Sequence, residues 1–213
     1  MKLRLHTYWR SSCAWRVRIG LGLKGLPWEP VYVHLLKDGG QQHADAHRAR
    51  NPMGQVPVLE VEEHDGSVAT FSQSLAILGY LDDRWPEHSL VPADPAGRAR
   101  ARMLAELVNA GIQPLQNLAV TQHLTALGVD SAAWVKHFVP RGMDALEAQA
   151  GDAPFLVGDR PGLAEACLVP QLYSCRRFGV DVSAYPRLLA VEARCAELPA
   201  FLAARPEAQA DAG

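Results

Sequence analysis

Pro86, Pro92 and Pro95 fall within ten residues of one another. A segment so rich in fixed φ angles and missing N–H donors suits neither a helix nor a central strand. The three prolines divide the chain into halves whose apolar residues repeat with different periods. Before them, Leu3, Leu5 and Thr7 alternate with Lys2, Arg4 and His6, the period of a strand, and Trp15, Ile19 and Leu23 then recur at helical spacing. Beyond them the alternating period disappears, and long runs rich in Ala, Leu and Arg read as helices.

The first half resolves into a strand over 2–8, a helix ending where Gly25 can cap it, and a short Val- and Tyr-rich strand over 29–36. A polar, helical stretch over 37–50 leads to the turn Asn51-Pro52-Met53-Gly54 and a strand over 56–61. A hairpin turn at Asp65-Gly66 leads into 67–71, and a helix over 72–85 closes the unit. The order βαβαββα is that of an α/β thioredoxin-like domain. The second half predicts helices over 96–127, 131–150, 163–178 and 186–204. The expected organisation is a thioredoxin-like domain over 1–85, a linker over 86–95 and an all-α domain over 96–213.

With 48% hydrophobic and 21% charged residues the chain is expected to be globular rather than disordered. A net charge of −2 offers no attraction to a polyanion, so nucleic acid is not an expected partner. No apolar run approaches membrane-spanning length, and the first residues lack the apolar core of a signal peptide. A soluble, cytoplasmic protein is expected. Cys13, Cys167, Cys175 and Cys195 show neither a C-x-x-C pair nor zinc-finger spacing, so reduced thiols and no metal are expected. His43 and His47 stand four apart without a third ligand nearby and read as a solvated surface pair.

Three segments are placed to carry chemistry. Ser11-Ser12-Cys13 lies at the junction of the first strand and first helix, where unpaired N–H groups and the helix dipole stabilise a thiolate. Read alone, it fits equally a serine cap with Cys13 packed inside. Gln55-Val56-Pro57 opens a strand with a proline; a cis bond there would turn the preceding backbone toward an extended ligand, although trans is the commoner form. Ser72-Gln73-Ser74 opens a helix whose free N–H groups suit a carboxylate, or simply caps it.

Together these segments resemble a known family. Arg10-Ser11-Ser12-Cys13-Ala14-Trp15-Arg16-Val17-Arg18-Ile19, Asn51 to Pro57, Ser72 to Ile77 and Gly111 to Leu118 are similar to the signatures of zeta-class glutathione transferases, and among these to maleylacetoacetate isomerases. The resemblance implies the glutathione transferase fold and a homodimer, with glutathione as cofactor. It places the glutathione thiolate near Ser11, Ser12 and Cys13, and the cysteinyl backbone on Val56 beside Gln55 and a cis Pro57. The γ-glutamyl carboxylate would rest on Gln73 and Ser74, and the glycyl end near Gln42. Gln113 and Asn117 would reach the ligand from the helical domain, and Arg10 and Arg177 would hold the carboxylates of a small maleyl dicarboxylate.

The implied reaction is glutathione-dependent cis–trans isomerisation of maleylacetoacetate by reversible thiolate addition. Two alternatives stand beside it: a maleylpyruvate isomerase, and a transferase or dehalogenase acting on small α-halo acids or chlorinated quinones. Gln113 and Leu118, where maleylpyruvate isomerases carry histidine and arginine, favour maleylacetoacetate. Gly162 stands where the superfamily usually has a Ser or Thr cap, so Gly162→Ser is expected to raise the melting temperature. Arg176 is expected to be a solvated helix charge, and Cys167, Cys175 and Cys195 to be small core residues.

Overall fold

The alternating Leu3 and Leu5 form one face of β1 (Lys2–Thr7) and meet Val61 and Leu59 of β3 (Val58–Glu62) in antiparallel register. The computed structural model describes residues 1–212 and divides them into two compact units. In the first, β2 (Glu29–Tyr32) pairs parallel to β1, and β4 (Val68–Ser72) pairs antiparallel to β3 across the Asp65-Gly66 turn. The sheet order is β2-β1-β3-β4. Helices α1 (Ser12–Leu23) and α3 (Ser74–Arg84) bring Val17, Leu21, Ile77 and Leu81 onto the face of Leu3, Leu5, Leu59 and Val61. Each such side chain, when fully buried, contributes about 1.5–3 kcal/mol.

The expected βαβαββα order is present, with one element much reduced. The stretch 37–50 holds only a single helical turn, α2 (Asp45–Arg48), flanked by short 3-10 turns at Lys37–Gly39 and Gln41–His43. Glycines at 39 and 40, both at positive φ, break the helical period there. Helix α1 ends as Gly25 foretold: its φ of 64° lets Gly25 N–H reach Gly22 and Leu26 N–H reach Leu21.

No regular element runs from Trp85 to Asp94, in keeping with the prolines. The first part of this segment nevertheless belongs to the first unit, which extends to Leu90. Asp82 explains this, for its carboxylate accepts from Leu90 N at 2.7 Å and from Lys24 Nζ at 3.0 Å. A second difference from the expected 96–213 domain is larger, because residues 199–212 group with the first unit rather than with the helices before them. Helix α9 (Pro199–Ala204) lies against α1, where Gly22 leaves room for Ala200, and Arg18 Nε donates to Ala204 O at 3.1 Å.

The second unit, Val91–Leu198, is helical: α4 (Pro95–Glu106), α5 (Leu118–Ala126), α6 (Ser131–Gln149), α7 (Leu163–Phe178) and α8 (Pro186–Cys195). Helix α6 buries Val135, Val139, Met143 and Leu146, the helical stripe its sequence shows. The single helix expected over 96–127 is instead interrupted by a π-helical stretch, Leu107–Ile112, and a 3-10 turn, Gln113–Gln116. Pro114 lacks the N–H that an unbroken helix would need, and Asn117 restarts it by accepting Ala119 N–H at 3.0 Å.

Candidate thiol-binding site

The junction of β1 and α1 is built by its own side chains. Ser11, in extended conformation, caps α1 by accepting the Ala14 N–H at 3.2 Å, and its own N–H donates to Tyr8 O at 3.0 Å. The cap uses a lone pair of Oγ, so the hydroxyl proton remains available to an acceptor. Ser12 and Cys13 follow in the first turn, ahead of the first intrahelical bond from Trp15 N to Ser11 O. Cys13 is half-buried and carries a free thiol. The cap reading therefore holds at Ser11 and leaves its hydroxyl proton free to donate, while Cys13 is half-buried rather than packed inside.

Beyond Ser11 the helix carries two arginines whose roles the sequence does not announce. Arg16, almost fully buried, donates from Nη1 to Ser74 Oγ at 3.2 Å, tying the start of α1 to the start of α3. Arg18 is buried too, and burial lowers its pKa to about 10 against the opposing pull of Asp211. In the sequence both look like outward charges on an apolar helix. Their carbonyl and hydroxyl partners leave no pattern that would reveal them.

Helix α3 begins differently from α1. Gln73 occupies the N-cap position at φ 70°, a left-handed conformation uncommon for a residue with a side chain, and makes no side-chain cap. The first-turn N–H groups of α3 are therefore uncapped by any side chain, and Gln73 itself is exposed. Such a start is suited to a carboxylate.

The third segment has a cis Val56–Pro57 peptide bond. The carbonyl of Gln55 just before it accepts two bonds, from His47 Nε2 at 3.0 Å and Asn51 Nδ2 at 2.9 Å. His47 is thus buried, not half of a solvated pair with the exposed His43. The ring of His6 lies 5.9 Å away and bonds Glu60, which Arg50 also bonds at 2.6 Å. An Asx-type turn, in which Asn51 Oδ1 accepts Met53 N–H, was the available signal for Asn51. Val56 packs with Tyr8 and Val33, joined by Trp9 and Leu35, so this strand start and the loop before Ser11 share one cluster. Gln42, buried, donates to Leu35 O at 3.3 Å, while its Oε1 is buried without a partner.

Arg10 lies with its guanidinium 5.1 Å from the centre of the Trp9 ring, and its Nε is buried without a partner. The remaining expected residues belong to the helical unit. Gln113 sits in the 3-10 turn, Asn117 caps α5, and Arg177 stands exposed at the end of α7 over the Phe178 ring, 4.4 Å away. Arg176 is exposed, as expected of a solvated helix charge, and its guanidinium also pairs at the surface with both carboxylate oxygens of Glu192 on α8, one at 2.6 Å, a bond that raises its pKa. Among the described residues no helix is long and apolar enough to cross a membrane, and no group of three metal-type ligands occurs. All four cysteines are free thiols.

Comparison with known proteins places these features in context. The N-terminal domain of glutathione S-transferases matches residues 10–84, and their C-terminal domain matches residues 132–194. A maleylacetoacetate isomerase of Pseudomonas aeruginosa is 43% identical over 212 residues, covering 98% of each chain. The maleylacetoacetate isomerase of Anaeromyxobacter dehalogenans 2CP-1, crystallised with glutathione in the active site, superposes with a TM-score of 0.91. It is 51% identical, over 100% of this chain and 98% of that one. A second crystal structure of the same enzyme holds dicarboxyethyl glutathione and citrate in the active site, at 48% identity, TM-score 0.90 and coverage of 100% and 94%. A bacterial maleylpyruvate isomerase of the zeta class is 39% identical over the whole of both chains, with a TM-score of 0.90.

Proposed function

The chain belongs to the glutathione S-transferase family, in its zeta class, and from that premise we propose that it is a glutathione-dependent cis–trans isomerase converting maleylacetoacetate to fumarylacetoacetate. The observation that carries this reading is the start of α1, where Ser11 caps with a lone pair and keeps its proton to give. Glutathione, when bound, supplies a thiolate that adds to one alkene carbon, leaves a single bond free to rotate, and departs with the double bond restored as trans.

The residues present fit such a ligand. Ser11 and Ser12 hold the thiolate with hydroxyl donors at the positive end of the α1 dipole, and Cys13 adds its backbone N–H to the same turn. Val56, fixed by the bonds to the Gln55 carbonyl, pairs with the cysteinyl backbone beside Pro57. Gln73 and Ser74 receive the γ-glutamyl carboxylate on the uncapped start of α3. Gln42 presents its orphaned Oε1 at the glycyl end, where a peptide N–H can satisfy it. Gln113 and Asn117 keep the ligand roles that the family resemblance implies for them.

A substrate with a carboxylate at each end calls for cations with planar, forked donors. Arg10, whose buried Nε lacks a protein partner, and Arg177 each offer such a fork, the role the family resemblance implies for them. The relative holding dicarboxyethyl glutathione supports this chemistry, because in that molecule the sulfur is bonded to a two-carbon unit bearing two carboxylates.

Maleylpyruvate isomerisation is the second reading, favoured by the 39% identity to an enzyme of that name. Ultraviolet absorbance of maleylacetone and of maleylpyruvate, followed separately with enzyme and glutathione, distinguishes them, and the faster cis-to-trans conversion names the substrate. Failure on both, with release of chloride from dichloroacetate, would move the assignment to a dehalogenating transferase. The protein is further proposed to be a cytoplasmic homodimer; its free thiols suit a reducing compartment. Light scattering at twice the chain's 23.2 kDa would support the dimer, and a monomer mass would refute it.

A further inference from the structure

The loop that carries Ser11 is gripped by the far end of the chain. Trp9 N–H donates to Asp211 Oδ2 at 2.9 Å, and Trp9 O accepts from Arg18 Nη2 at 2.8 Å. The same guanidinium, 2% exposed, reaches Tyr8 O at 3.3 Å and Thr7 Oγ1 at 3.0 Å through Nη1, and Ala204 O at the end of α9 through Nε. Gln209 fastens the tail between them by donating to Ala203 O and Arg205 O, each at 2.9 Å. Asp211 Oδ1 is buried with no partner, so this carboxylate sits where its Trp9 bond and the field of Arg18 are its visible rewards for leaving water. Ser11 N–H in turn donates to Tyr8 O, so the place of the cap follows the place of Tyr8 and Trp9.

We propose that Asp211 and Arg18 are positioning residues for the thiol site, holding both sides of Trp9 so that Ser11 and Ser12 stand at bonding distance from the glutathione sulfur. This rests on the reading that these serines face the sulfur. The C-terminal tail is then part of the catalytic apparatus of the first unit, although its own residues touch no reacting atom. Small displacements of an aligned donor are costly: a shift of about 1 Å can lower a rate by about a hundredfold.

The test uses Asp211→Ala and Asp211→Asn in the full chain. Four quantities are read: the thermal midpoint, glutathione affinity by calorimetry, the pKa of the bound thiol from thiolate absorbance, and kcat and KM with maleylacetone. Asp211→Ala is expected to raise the bound-thiol pKa and lower kcat about tenfold while KM moves less than about twofold. Asp211→Asn keeps an acceptor for Trp9 N–H and is expected to restore most of both. Should Asp211→Ala fail to fold, Asp211→Glu, which displaces the carboxylate by one methylene, is expected to shift kcat and thiol pKa in the same direction by less. Variants with lower thermal midpoints but wild-type kcat and thiol pKa would overturn the proposal and leave the tail a stabilising strap. Asparagine behaving like alanine would also overturn it, by placing the effect in the charge opposite Arg18 rather than in the Trp9 bond. If glutathione bound to the wild type had the thiol pKa of free glutathione, the reading of Ser11 and Ser12 would fail instead, and the tail would have nothing to position.

Discussion

A serine hydroxyl has one proton to give and lone pairs to receive with; at Ser11 a lone pair is taken by the cap, and the proton is the one we propose is given to the glutathione sulfur. Ser11→Ala removes the cap on Ala14 N–H together with the proposed donor to the thiolate, whereas Ser12→Ala removes a hydroxyl that caps nothing. Ser11→Ala should therefore cost about 1 kcal/mol of stability as well as activity. Ser12→Ala should lower kcat/KM, by about tenfold or more, at unchanged stability. Denaturant melts beside kinetics on the two variants check this, and equal stability of both would remove Ser11 from the cap. His47 offers a second residue-scale test. Burial lowers its pKa below 6.5, only partly offset by its bond to the Gln55 carbonyl, with His6, Arg50 and His43 adding to the lowering. Nε2 already donates, so a second proton must go to Nδ1, which is buried without a partner. The unfolded chain then takes this proton at higher pH than the folded one, so the contribution to stability is full above 6.5 and is lost as pH falls through the lowered value. Glu60 acts in the same direction at lower pH. Burial would raise its pKa, but hydrogen bonds from His6 and Arg50 outweigh it, so its contribution is present above 4.5 and lost below. Urea midpoints should fall between pH 7 and pH 5.5, and His47→Gln should flatten that fall; an unchanged slope in the variant would contradict the assignment.

At the scale of elements, capping and proline decide where helices stop, and they do so locally enough to be read in advance at some ends and not at others. Gly25 could be read as the end of α1 because a left-handed residue after a helix is a short-range requirement. The π-helical stretch before Pro114 could not, since Gly111 and Pro114 signal a break without fixing which hydrogen-bond spacing fills it. At the start of α7, Glu165 supplies one half of a capping box: its buried carboxylate accepts from Gly162 N and Leu156 N, each at 2.7 Å. Gly162 has no side chain to return the bond to the N–H of Glu165. Gly162→Ser should complete the box for a few tenths of a kcal/mol, about one degree in melting temperature for a chain of this size. Calorimetric scans of the two proteins decide it, and an unaltered or lowered midpoint would discredit the capping argument.

Over the whole molecule, the change of apolar period at Pro86–Pro95 was legible, and so were the sheet, the helical second unit and the element starts at Ser11–Cys13, Gln55–Pro57 and Gln73–Ser74, whose ligand roles are our proposal. Those features repeat at fixed spacing or sit at element junctions, where sequence and geometry are directly coupled. What stayed hidden is long-range: Asp211 and Arg18 bond main-chain groups of Trp9 and Ala204, and any residue type offers those groups. The burial of His47 was hidden for the same reason, its partner being the carbonyl of Gln55. The central claim, that this scaffold holds a thiol which attacks and then leaves, makes glutathione a true catalyst. It is tested most directly by giving the enzyme excess maleylacetone with glutathione far below the substrate concentration, while following cis-to-trans conversion and free thiol together. Conversion of all the substrate with the thiol titre unchanged is the predicted result; product that stops at the amount of glutathione added, with thiol lost one for one, would contradict it.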